Sequence, residues 1–155
     1  MEFIIKHGWI LFILVTLLNG VILKFRANKY IKQNPELKKG YDNYFKGWIL
    51  FGNIPWVIMG IGDLTGMTNN ITEFFAPRMM NPIVLFFHFS IIGLYILMAW
   101  WVYFKGGAEF MANHPGLLRN NPSAKYIKIM LPFMLLGGVI AMIFMWTAVI
   151  PTPKF

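Results

Sequence analysis

Two histidines and one carboxylate are the residues of this 155-residue chain whose types and positions can do chemistry. His88 lies within residues 81–104, twenty-four consecutive residues without a formal charge, and His7 lies in the similar apolar run 3–23, beside Lys6. An ionisable side chain in such a segment is costly and points to a function or a partner. Two imidazoles at matched depth on facing helices can be the axial ligands of haem b, with the porphyrin packed by Phe and Met. Its propionates call for cations on the same side, where Arg78 and Lys6 stand, with Lys154 near the C-terminus. The expected cofactor is therefore haem b, with His7 and His88 on the iron and Arg78 and Lys6 beside them. The plainer reading has His7 reaching water beside Lys6, and His88 donating to a carbonyl or to a hydroxyl such as Ser90.

Asp63 is the only acid within a span, about three residues from the end of the second. It reads either as a proton or quinone-side group near the histidines or as a carboxylate hydrogen-bonded near Thr65 or Thr68. Glu73 and Arg78 are close enough in sequence to pair. His114 belongs to the opposite connection, roughly 30 Å away across the hydrocarbon core, which excludes a three-histidine zinc site within one chain. Its place before Pro115 suits a solvated loop residue or a helix terminator. The absence of cysteine excludes disulfides, Cys-ligated zinc, iron–sulfur clusters and covalently attached haem. No hydrolase triad or phosphate-binding loop appears, and Gly60-Ile61-Gly62 lacks the strand-to-helix setting of a dinucleotide site. A stand-alone enzyme is thus less expected than an electron-transfer or non-catalytic subunit.

The elements that must position these residues are membrane helices. A chain 57% hydrophobic with 13% charged residues lies outside the range of soluble domains. Four spans are expected, at about 3–23, 47–66, 81–104 and 129–150, in one membrane domain covering 1–155. Glu2 stands where a signal peptide would be positive and no small-residue cleavage site follows, so the first span is expected to be kept. Residues 24–46 and 105–128 carry eleven of the fourteen Lys and Arg. The positive-inside rule makes these the cytoplasmic loops, leaves 67–80 outside, and puts both termini out in a bacterial-type inner membrane. The net charge of +8 then suits anionic lipids rather than nucleic acid. Asn34-Pro35-Glu36 signals a helix start that Gly40 should end, and Asn81-Pro82 and Asn121-Pro122-Ser123 open the third and fourth helices. Ile71, Phe74 and Phe75 suggest a brief interfacial helix. In the second span Pro55 should kink the helix, and its glycines favour close packing over a pathway. Gly137, Gly138 and Ala141 form a second packing patch.

The two hairpins can be overlaid at an offset of 80 to 82 residues, which places Pro35 on Pro115, Leu37 on Leu117 and His7 on His88. The expected fold is an all-α integral membrane protein, two tandem helical hairpins in parallel orientation forming a four-helix bundle. In the number of spans and the placement of His7 and His88, the chain resembles small haem-binding membrane proteins of four to five helices. These include the oxygen-independent protoporphyrinogen oxidase family and copper-resistance membrane domains. The resemblance implies a haem-binding membrane domain and carries no activity with it. The function expected is a small membrane subunit of a larger electron-transfer complex, partnered by other membrane subunits or by copies of itself. The alternatives are a cofactor-free structural or assembly subunit, and a small transporter or channel.

Overall fold

Helix α1, Trp9–Gln33, is 25 residues long, about 38 Å at 1.5 Å per residue, so it exceeds a hydrocarbon core of roughly 30 Å. Its last turns, with Lys24, Arg26, Lys29 and Lys32, therefore project beyond the apolar run. A computed structural model describes residues 6–148 of the chain. Expectations resting on the start of the first span, Glu2, the end of the fourth span and Lys154 lie outside the described residues. The remaining helices are α2 (Lys38–Leu64), α3 (Pro82–Phe104), the short α4 (Gly107–Asn113) and α5 (Ala124–Thr147). Among the described residues all regular structure is helical, and α1, α2, α3 and α5 are long and apolar enough to cross a membrane.

The sequence's helix starts are present as caps. Asn34 accepts from the Glu36 amide, Asn81 from Ile83 and Ser123 from Tyr126, each satisfying a donor that the first turn leaves free. Gly40 does not end a helix: α2 runs through it from Lys38. The reason lies across the interface. A Cβ at Gly40 would stand 2.1 Å from His114 Nε2, so the glycine makes room for an imidazole and the chain accepts the modest helix penalty.

Close approach also governs the packing of α1 on α2. A Cβ at Gly52 would lie 3.1 Å from Thr16 Cγ2, and one at Gly60 would lie 3.0 Å from the Trp9 ring. Gly52 and Gly60 therefore serve helix packing, as small residues do in lipid. Helix α2 packs in turn on α3, and α5 meets α3 over a smaller area. In α5, Gly138 seats the Tyr95 ring, whereas Gly137 faces open space. α1 is not among the extensively packed neighbours of α3, so the first and third helices do not form the close facing pair expected of a symmetric double hairpin.

Charged residues gather at one end, called here the connection end, and the polar turns of 65–81 close the other, the terminal end. At the connection end Tyr41 is fully buried and donates to the Pro115 carbonyl at 2.7 Å. His114 caps α4, donates through Nδ1 to the Phe110 carbonyl at 2.8 Å and stacks on the Phe110 ring. It is half-buried rather than a solvated loop residue. Lys128 on α5 binds Glu109 on α4 at 2.6 Å, and this hydrogen bond holds the Glu109 carboxyl below its usual range. A depressed carboxylate contributes stability above its unfolded pKa and loses it as pH falls through the folded value. Glu109→Gln should therefore lower the thermal midpoint slightly at pH 7, and the deficit should shrink as acidification protonates Glu109. An equal deficit at pH 7 and in acid would refute this account of the pair.

Candidate functional site

The terminal end brings together residues far apart in sequence. Asp63 sits one residue before the last of α2, and its side chain is 3% exposed. Its Oδ2 accepts Trp9 Nε1–H at 2.8 Å and lies 2.6 Å from His7 Nδ1. His7 and Trp9 are two positions apart, roughly 200° around a continuous helix, which would aim them in opposite directions. His7 is also helical, but a turn at Gly8 separates it from α1, which runs from Trp9 with Gly8 as its cap, so the helical register is interrupted between the two side chains.

The short contact between imidazole and carboxyl admits two hydrogen-bond arrangements. In one arrangement an ionised Asp63 accepts from Nδ1–H, and in the other a neutral carboxyl donates to Nδ1. Trp9 donates to Oδ2 in both, which fixes the carboxyl in either arrangement. Asp63 is enclosed, whereas His7 keeps 27% of its side-chain surface open, so the imidazole is the member of the pair that meets solvent. The second carboxyl oxygen, Oδ1, is buried with no hydrogen-bond partner among the described residues. A buried acceptor in that state is costly and concentrates a site's affinity for a proton or a donor.

Residues 65–81 fold against the end of α2 beside this pair. The Thr68 amide donates to the Gly62 carbonyl at 3.1 Å, and Asn81 Nδ2 donates to the Met67 carbonyl at 2.7 Å. The expected interfacial helix is a 3₁₀ segment, Ile71–Phe75, and its Phe74 points inward, fully buried among Ile58, Met59, Val84 and Phe87. A Cβ at Gly62 would lie 2.9 Å from the tip of the Phe74 ring and 3.1 Å from Thr68 Oγ1. That glycine leaves the space into which the connection inserts. Thr65 does not bond Asp63; its hydroxyl donates to the Ile61 carbonyl at 2.6 Å.

His88 is buried on α3 and turned to this same connection. Its Nε2–H donates to the Phe74 carbonyl at 2.9 Å, and its ring meets the edges of Phe87 and Trp146. Ser90 is not its partner, since that hydroxyl donates to the Phe87 carbonyl. Arg78 donates to the Thr147 carbonyl at 2.9 Å, and Glu73 accepts from the amide and side chain of Asn69. Lys6 is exposed.

The two histidines of the expected haem site are turned to different partners. Axial ligation needs a free ring nitrogen from each histidine aimed into one gap. His88 is bonded through Nε2 to a backbone carbonyl, with its Nδ1 buried and without a hydrogen-bond partner among the described residues, while His7 is turned through Nδ1 to Asp63 on α2. Among the described residues no cluster of three or more His, Asp or Glu could hold a metal ion. Sequence reasoning placed Asp63 near the histidines but missed Trp9 and the Phe74 carbonyl. The indole N–H was a visible signal, because a buried indole requires an acceptor and acceptors are scarce in these spans. A backbone carbonyl carries no such mark. No family model, curated protein or solved structure matches the chain.

Proposed function

We propose that this chain is a small membrane subunit of a larger electron-transfer complex, in which Asp63 and His7 take up and release a proton at the terminal end. The observation that carries the reading is the enclosed Asp63 carboxyl, bonded through one oxygen to His7 and Trp9 and with its other oxygen unpaired among the described residues. Its partner His7 is partly open to solvent, so a proton has a way in through the imidazole. Oxidation and reduction of a quinone-type carrier at a membrane face exchange protons with the adjoining water, which is the chemistry such a pair serves. Outward-facing Gly93 and Gly137, with open space where a Cβ would stand, suit the close approach of a neighbouring subunit's helix. By the positive-inside rule the connection end faces the cytoplasm of a bacterial-type inner membrane, with the proton pair on the outer side.

The test is purification from native membranes in mild detergent, followed by assay of proton-coupled electron transfer. We expect fixed membrane partners, and turnover at least tenfold lower with Asp63→Asn while the assembly stays intact. Trp9→Phe, which removes one hydrogen bond but no proton carrier, should cost only a few-fold. Full turnover with Asp63→Asn, or a chain with no partners, overturns the proposal. Assembly that fails with every Asp63 substitution, including the isosteric one, would make this a structural subunit.

A further inference from the structure

The opposite end carries a second site, unrelated to the proton pair. Where α1 leaves the apolar run, an open cleft of about 490 Å³ lies between its last turns and residues 116–121. Arg26, Lys29 and Arg119 line it, and no carboxylate does. The ion pairs among the described residues, His7–Asp63, Lys38–Asp42 and Lys128–Glu109, use none of these three cations. Three unneutralised positive charges around one concavity repel one another, and an anion relieves that repulsion.

The wall is preformed. Gly116 has φ +88°, Asn120 +65° and Asn121 +46°, left-handed conformations natural to glycine and asparagine. The Gly116 amide donates to Asn121 Oδ1 at 2.8 Å, which closes the turn on itself. The Tyr30 ring packs on Gly116, where a Cβ would come within 3.0 Å of it. Arg119 thus projects from a fixed turn toward cations on a rigid helix.

Height and polarity select among phosphate compounds. Arg26 follows the last apolar residue of the run, Leu23, by three positions, roughly 4.5 Å along the axis, which is headgroup level. Phe25, 72% exposed, and Leu118 give the cleft an apolar flank. A soluble phosphate has no use for that flank, whereas an acyl chain does. An adjoining cleft of about 330 Å³ shares Arg119 and adds the exposed Tyr126 ring, extending the same surface.

We propose that this cleft binds the phosphate of an anionic phospholipid, with Arg26, Lys29 and Arg119 on the headgroup and Phe25 against an acyl chain. Basic pockets at the ends of membrane helices are suited to such headgroups, and arginine pairs phosphate oxygens bidentately. The site needs only that the helices span a membrane; it does not depend on the proton chemistry or on which side is cytoplasmic.

The test is native mass spectrometry of the detergent-solubilised chain with added phosphatidylglycerol or phosphatidylcholine. One phosphatidylglycerol should be retained per chain, at least tenfold in preference to phosphatidylcholine. R26Q/K29Q/R119Q should cut that retention at least tenfold. K32Q/K39Q/K46Q, which removes equal charge from the same end outside the cleft, should change it less than twofold. Phe25→Ala should weaken retention of the lipid and leave the weak binding of inorganic phosphate unaltered. Equal loss in both triple variants means diffuse surface charge and overturns the site. Inorganic phosphate competing as well as the lipid, with Phe25→Ala silent, means a soluble-anion site and overturns the lipid assignment. Should R26Q/K29Q/R119Q not fold, Arg119→Gln alone, on the loop, must still lower retention severalfold. A failure of the membrane reading itself is distinct, because the protein would then stay soluble without detergent before any lipid is added.

Discussion

If Asp63 exchanges a proton as proposed, Asp63→Asn should remove one carboxyl stretching band from the infrared difference spectra of the purified protein on acidification. The substitution is isosteric, so its effect is chemical rather than steric. An asparagine carbonyl can still accept Trp9 Nε1–H, and it cannot accept or give a proton to His7. His7→Gln is the complementary variant. It keeps a donor for the Asp63 oxygen, which lies 2.6 Å from Nδ1, but cannot carry a proton between the carboxyl and solvent. It should leave the carboxyl band in place and slow proton exchange by about tenfold or more, in line with the usual worth of a positioned proton-transfer group. Asp63→Ala is the destabilising member of the set. It removes the acceptor of the Trp9 indole N–H at a buried position and should cost about 1–3 kcal/mol. A carboxyl band that persists in Asp63→Asn would assign the proton to another group and remove the basis of the functional proposal.

The four membrane helices were legible because a lipid-spanning helix writes its character in every residue of a long apolar run. The caps at Asn34, Asn81 and Ser123 were legible for a related reason, since the signal is local and the bond it makes spans two or three residues. What failed to show was the identity of partners across the fold. His7 and His88 look equivalent in sequence, at matched depth in parallel spans. Yet one meets a carboxylate on α2 and the other a backbone carbonyl in the turn between α2 and α3. Rotation about a helix axis decides that difference, and in spans apolar on every face the pattern of residues does not reveal the rotation. Gly40 teaches the same lesson. Its local meaning is helix termination, its actual use is space for His114 from another segment, and only the tertiary contact tells them apart. The turn 65–81 was read as interfacial because its Phe and Ile stand beside polar residues. One of those rings, Phe74, turned out to be a core side chain.

That ring leads to the largest stability effect expected in the molecule. Phe74 is fully buried, packs edge-on to Phe87 at 5.2 Å between centroids, and reaches the space that Gly62 leaves on α2. Its carbonyl is also the acceptor for His88, so one residue ties the turn to both α2 and α3. Phe74→Ala should destabilise the protein by about 3 kcal/mol, the low end of the usual range for a buried Phe-to-Ala change. The low end applies because the released ring of the unfolded reference state finds an apolar lipid environment, so the cost is mainly lost packing and the cavity. Phe75→Ala, at a half-exposed neighbour, should cost under about 1 kcal/mol, within the range of ordinary surface changes. Reversible unfolding followed by helicity in mixed detergent measures both, and equal effects would show that Phe74 is not the wedge. The same variant tests the link between turn and site. With the ring gone, the cover beside Gly62 loosens and water gains access to Asp63 next to it, so deuterium exchange at the carboxyl should accelerate at least severalfold. Gly62→Leu, which forces the ring out while leaving its chemistry intact, should produce the same acceleration; if it does not, Phe74 stabilises the fold without guarding the proton site.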